Sequence, residues 1–428
     1  MTGPRPRPSW LTHVVQVGTF VVILGIPDGA VGVLWPSMRA TFHLPLDDLG
    51  ELTIASAVLY FAGGLLAQYV RARFGAGQAM LASCGVALVG LAVWSGARWW
   101  WLLLAGVAVL GLSRGVIDAV VNAEAALDGG VRRLALLHGS WAIGGTVGPL
   151  LVAAVLAWAH DWRLVVVVVA VIVVPLSVLA LADRRGARSR VPPATAASLG
   201  VPRAPTNSST GSGRELSAGE PGATAGRSGP ERRRPLRART ALGLTVAAFV
   251  ACTAAESGPI AWGYTYLIYD RHLSRTLAAV AIASFWAALM AGRFALAVVG
   301  GRLAGTAILE ASCLLMMAGT ALLWLLPGSV AVVGLPIAGF GIATVFPILV
   351  ALTPARVGEA ATGRAVGASI AGASLAGPVA VAVLGVLATH LGVGVLGAGL
   401  FVGAVGLYAM NRVLTLATSP GPTSTVAT

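Results

Sequence analysis

The sequence contains no lysine: all 29 basic residues are arginine. A P-loop needs a lysine on the nucleotide phosphates, and Schiff-base chemistry needs a lysine amine. The chain is therefore not, by itself, an ABC-type ATPase, a retinal pump or a pyridoxal enzyme. Charge is scarce too. Charged residues make up 11% of the chain, against about 25% in soluble domains. Hydrophobic residues make up 57% and the mean hydropathy is +0.85, which excludes one large soluble globule. Cysteine is rare, and Cys84, Cys252 and Cys313 lie in apolar runs at no metal-ligand spacing. Neither a disulfide scaffold nor a zinc site is indicated, and no metal or cofactor is expected. Intramembrane enzyme motifs such as HExxH or GxGD are absent as well, so no catalytic activity is expected.

What is present is length, apolar runs and one basic block. A hydrocarbon core of ~30 Å needs about 20 apolar residues per helix. Such runs fall at roughly 14–36, 49–70, 77–97, 99–124, 134–158 and 163–183, then at 241–267, 277–299, 304–326, 329–352, 362–388 and 391–413. They predict an all-α membrane protein of twelve transmembrane helices. The domain plan is a tail at 1–13, a six-helix half at 14–183, a linker at 184–239, a second six-helix half at 240–413 and a tail at 414–428.

The formal net charge is +13, and Arg184 to Arg239 accounts for most of it, with twelve arginines against Glu215, Glu220 and Glu231. That stretch is rich in Pro, Gly, Ser and Thr without apolar periodicity, and reads as a disordered cytoplasmic loop. An arginine-rich loop between hydrophobic blocks is a topology signal, and nucleic acid is not an expected partner. Placing the N-terminus in the cytoplasm puts 23 arginines inside and five outside, which predicts a plasma-membrane protein with both termini cytoplasmic. Arg293 counts among the inside residues. Trp35, Trp94, Trp99, Trp100, Trp101, Trp158, Trp162 and Trp324 fall at outer helix ends, where indoles favour the interface.

An internal repeat runs at one offset. Gly63/Gly292, Val70/Val299, Arg73/Arg302, Ser83/Ser312 and Cys84/Cys313 all stand 229 residues apart, as do Pro149/Pro378. One offset across four helices predicts two halves in the same orientation, related by a pseudo-two-fold along the membrane normal. Major facilitator superfamily transporters are built this way. The duplicated Gly-Pro segments of helices 5 and 11 are read as packing and bending devices. Arg73 and Arg302 are read as clamps at the cytoplasmic helix ends.

Ionisable groups near the bilayer centre are functional candidates by default. They are Asp28 in helix 1, Arg114 and Asp118 in helix 4 with the amide Asn122, His138 in helix 5, and Glu256 in helix 7. Arg114, Asp118 and Asn122 are four apart on one helical face. Either Arg114 and Asp118 neutralise each other, or this face lines a cavity, with Asp118 exchanging a proton and Asn122 bonding a polar substrate. Under the 229 offset Asp28 maps to Ser257, beside Glu256, so the two acids flank one midplane site. Gly29 and Gly32 permit a break after Asp28, and Gly258-Pro259 permit one after Glu256. Trp262 offers an aromatic face to a sugar. His138 either bonds a neighbouring helix or faces the cavity.

These segments resemble the fucose permease branch, the fucose:proton symporter-like members, of the major facilitator superfamily. The resemblance rests on GIPDGAVGVLWP in helix 1, GLSRGVIDAVVNAEA in helix 4, RRLALLHGSWAIGGTVGP in helix 5, AAESGPIAWGYTYL in helix 7, FWAALMAGRFALA in helix 8 and GFGIATVFPILVAL in helix 10. It implies substrate binding and proton coupling by Asp28 and Asp118. The sequence departs from the branch at His138, which replaces an amide, and in the spacing of Asp28 to Pro36. The expected function is a secondary transporter working by alternating access, taking up a sugar or similar small polar solute with protons through the carboxylates Asp28, Asp118 and Glu256, any of which can carry the proton, as a monomer in the bilayer. The alternatives are proton-driven efflux of a drug-like or amphipathic metabolite, and a non-transporting ligand receptor.

Overall fold

In the described residues every membrane-crossing element is a helix, since only a helix or a closed barrel pairs its own backbone groups in lipid. A computed structural model describes residues 10–128, 130–190, 235–299 and 303–418 of the chain. Among them are twelve helices long and apolar enough to cross a membrane. The first half holds α1 (Trp10–Phe42), α2 (Asp48–Phe74), α3 (Ala76–Ser95), α4 (Trp100–Asp128), α5 (Gly130–Ala159) and α6 (Arg163–Arg190). The second holds α7 (Pro235–Tyr269), α8 (Arg275–Val299), α9 (Gly305–Leu325), α10 (Gly328–Val357), α11 (Glu359–Leu391) and α12 (Val395–Thr418). Each expected span has its helix. α6 and α7 run past the expected linker bounds, because arginine is a good helix former and a helix need not stop where hydropathy does. Most of the linker, Arg302 and most of both tails lie outside the described residues.

The repeat is visible in the packing. In the first half α2 and α3 both pack on α4, α3 packs on α6, and α1 packs on α5. Each pairing recurs six helices later: α8 and α9 on α10, α9 on α12, α7 on α11. Repeated glycines do repeated work. Gly63 has no room for a Cβ against Leu112 of α4, and Gly292 has none against Ala343 of α10. His43 and His272, again 229 apart, end α1 and follow α7 with positive φ, at 57° and 53°. Cys84 and Cys313 are both buried free thiols.

The halves meet along three seams that obey the same two-fold: α1 with α7, α2 with α11, and α5 with α8. On the face away from the chain termini, Gly50 of α2 touches Ala382 of α11. There Thr389 also donates to Asp47 at 3.0 Å. Gly32 of α1 lies against the backbone of Ile260 and Ala261 of α7. Toward the terminal face, Gly139 of α5 lies against the Phe294 ring of α8.

Two expectations about the backbone are corrected. α1 does not break after Asp28, because Gly29 and Gly32 serve close approach to α5 and α7 instead. Its irregularity lies upstream, where Phe20–Gly25 forms a π-helical segment. α7 is likewise continuous through Pro259. The interrupted helix is α10, whose two α-helical parts, Gly334–Ile342 and Val345–Val357, flank a turn at Ala343 and Thr344. Pro347 lies four residues after Ala343 and offers its carbonyl no N–H.

The expected tryptophan belt also holds only in part. Trp99, Trp101 and Trp158 are exposed, whereas Trp35, Trp94 and Trp162 are buried. The sequence places all six near helix ends, but rotation about the helix axis decides which of them meet lipid.

Candidate functional site

Between the halves lies a cavity of about 320 Å³. Its first-half wall includes Asp28 of α1, Thr53, Ser56 and Tyr60 of α2, Arg114 of α4 and Trp141 of α5. Its second-half wall includes Thr253, Glu256 and Ser257 of α7, Trp286 of α8, and Ser374 and Val381 of α11. Asp28 and Glu256 thus face one chamber from the two axial helices. The glycines of α1 and α5 explain how Asp28 gets there. Gly25 and Gly29 meet Gly144, Gly145 and Gly148 backbone to backbone, so the two helices cross without side chains between them.

Asp28 is fully engaged. One carboxylate oxygen is ion-paired and hydrogen-bonded with Arg114, and the other accepts the Trp141 indole N–H at 2.9 Å. Arg114 also donates to the Leu24 carbonyl at 3.4 Å, inside the π-helical segment of α1. A π turn widens the helix and frees backbone, and such segments are frequent at functional positions. This overturns the pairing of Arg114 with Asp118 along one helix. The charge partner of Arg114 is 86 residues away on another helix.

Asp118 is engaged as well. The Tyr60 hydroxyl donates to one of its oxygens at 2.7 Å and the Asn122 amide to the other at 2.8 Å. Neither Asp118 nor Asn122 lines the cavity, and Tyr60 stands between Asp118 and the chamber. Asn122, expected to bond a polar substrate, does not line the chamber and donates its amide nitrogen to Asp118. Of the helix-4 face, only Arg114 reaches the chamber.

Glu256 differs from both. It lines the cavity, and no described residue donates a hydrogen bond to it. The cation that acts on it electrostatically is Arg293 of α8, which does not itself line the chamber. Arg293, counted among the inside residues by the charge rule, lies within α8 (Arg275–Val299). Its guanidinium sits over the Trp141 ring at 5.1 Å and donates to the His138 carbonyl at 3.4 Å. Trp141 in turn meets Trp286 edge-on, with centroids 4.8 Å apart. A single side chain of α5 therefore touches Asp28 in its own half and two residues of α8 in the other.

The remaining expected residues lie elsewhere. His138 does not line the cavity; its ring meets Phe20 edge-on at 6.1 Å. Trp262 is fully buried, with its indole N–H donating to the Val381 carbonyl at 3.0 Å, so it packs α7 on α11 and shows no face to the chamber. Arg73 is exposed and lies over the adjacent Phe74 ring, while the inter-helix clamp is Arg71, paired with Glu124 of α4 at 2.9 Å. The residues missing from the sequence reading are Tyr60, Trp141, Trp286 and Arg293. Their common signal was a polar or aromatic tip in the middle of a span, away from any predicted interface.

The sequence profile described as Major Facilitator Superfamily matches residues 17–381. Among solved structures, the chain is similar to FucP, a transporter of that superfamily in the outward conformation. The TM-score is 0.58 at 15% identity, covering 95% of this chain and 99% of that one. It is similar as well to a variant of the E. coli fucose:proton symporter FucP, with a TM-score of 0.57 at 14% identity and the same coverage. No curated protein matches the chain in sequence.

Proposed function

The chain belongs to the Major Facilitator Superfamily and is a multi-pass membrane transporter of the secondary type, and we propose that it takes up a sugar or similar small polar solute together with protons. The observation that carries this reading is the Asp28 cluster. A carboxylate held by Arg114 and Trp141 inside a low-dielectric cavity is stable while charged, because both oxygens are paired. Adding a proton removes the attraction to Arg114 and weakens the acceptor for Trp141. Trp141 touches Trp286 and Arg293, so that change is felt at the α5–α8 seam. Rocking of the halves along the three seams then exposes the chamber to one side or the other. Asp118 is reached from the chamber through Tyr60, which suits a second proton site screened from solute.

The test is uptake into proteoliposomes with an imposed pH gradient. Asp28→Asn is expected to abolish proton-driven accumulation while keeping counterflow of labelled solute. Accumulation at the wild-type level in this variant sinks the coupling role. The apolar part of the lining, with Val31, Leu52, Val107 and Leu110, supports the rival reading of amphipathic efflux. Proton-driven dye export without sugar counterflow selects that rival.

A further inference from the structure

Resting on the sugar-type reading above, the geometry points to Glu256 as the group that selects the solute, with the second-half wall reading adjacent hydroxyl groups of an uncharged polyhydroxylated molecule. The three carboxylates within the helices, all partly buried, are not equivalent. Asp28 and Asp118 each have a donor on each oxygen, whereas Glu256 faces the chamber with none from any described residue. A carboxylate left without donors in a desolvated place costs free energy until something donates to it. The chamber leaves that role to its contents.

The neighbours of Glu256 sharpen what those contents are. Thr253 donates its hydroxyl proton to the Phe249 carbonyl at 3.2 Å, and Ser257 donates to the Thr253 carbonyl at 2.8 Å. Across the wall, Ser374 donates to the Ile370 carbonyl at 2.8 Å. All three line the cavity with their protons already used, so they present lone pairs. The wall around Glu256 is thus made of acceptors, and it fits a solute carrying several donors close together. Arg293 sits over the ring of Trp141, which lines the chamber and meets Trp286, so a cation already stands behind the lining, which favours hydroxyl donors over an ammonium. Trp286, Ile260 and Val381 supply an apolar surface beside the acceptors, as the C–H face of a sugar ring requires.

The test uses the full chain in lipid nanodiscs and a panel of uncharged monosaccharides, their single-deoxy analogues and an amino sugar, read by equilibrium binding. For the monosaccharide bound by the wild type, Glu256→Gln is expected to weaken affinity roughly tenfold to a hundredfold, the range for hydrogen bonds to a charged acceptor. The same variant loses the wild-type preference for that sugar over the deoxy analogue lacking the hydroxyl that Glu256 reads. Glu256→Asp keeps the preference at lower affinity. An unchanged melting temperature shows that both variants are folded. Unchanged affinity and ranking in Glu256→Gln overturns the assignment while leaving proton-coupled sugar uptake intact. Preference of the wild type for the amino sugar, lost in Glu256→Gln, overturns the uncharged class. Binding of none of the panel by the wild type overturns the assignment together with the sugar reading beneath it.

Discussion

The two walls of the chamber are built on the same helical scaffold yet carry opposite chemistry. On the first-half wall, Asp28 is closed off by Arg114 and Trp141. On the second-half wall, Glu256 stands one position from the repeat equivalent of Asp28 and is open. The difference teaches that duplication preserved the packing of this fold but not its site. Glycines and seams recur at a fixed offset because helices in lipid approach closely only where side chains are small. Charges are free to diverge, provided each is paired or faces water.

The largest effect that tests this contrast is expected at Arg114. Arg114→Gln removes the cation from a partly buried Asp28, which is expected to cost about 3 kcal/mol of stability, the low end for a broken buried pair. The double variant Asp28→Asn/Arg114→Gln is expected to recover much of that loss in thermal or denaturant unfolding. Recovery of nothing refutes the pairing. Glu256 predicts the opposite behaviour, a loss of solute binding with little change in unfolding.

A smaller effect separates the two axial crossings. Gly148 of α5 meets the backbone of α1 at Ile26 and Ala30, which cannot step aside. Its repeat equivalent Gly377 of α11 meets only side chains, those of Ser257 and Thr253, and its shortest contact is the Ser257 hydroxyl, which can rotate. Gly148→Ala is expected to destabilise by about 1–3 kcal/mol, and Gly377→Ala by less than about 1 kcal/mol. Equal losses in paired melting curves contradict the asymmetry. The smallest effect is expected on the rim. Arg412 and Glu310 pair at 2.9 Å with both side chains 44% exposed, so Arg412→Gln is expected to change stability by at most about 1 kcal/mol. A larger change means that this end of α12 is more constrained than its exposure suggests.

Much of the fold was legible because lipid leaves few options. Long apolar runs without charge become helices, and the 229-residue repeat announces two halves. The site was legible only as a set of out-of-place charges. Asp28, Arg114 and Glu256 do meet in one chamber. The i, i+4 spacing of Arg114 and Asp118 suggested a pair, but Tyr60 and Asn122 occupy Asp118 and the close crossing of α1 and α5 brings Asp28 to Arg114. Arg293 was counted only as an inside charge because hydropathy does not register how deep a residue sits along a span. Trp262 looked like a candidate platform because its distance from Glu256 along α7 says nothing of which way the ring turns.

The scarce charge and the long apolar runs determined, without coordinates, that this protein is embedded in membrane. The repeat determined that it has two like halves. Those properties depend on composition and periodicity, which every residue of the chain contributes to and which no single contact can undo. Which carboxylate is closed and which is open was decided by tertiary structure alone. That choice depends on partners drawn from four different helices and on a π turn in α1, neither of which has a one-dimensional signature, and on glycines whose packing role is legible in the sequence but whose contact partners are not.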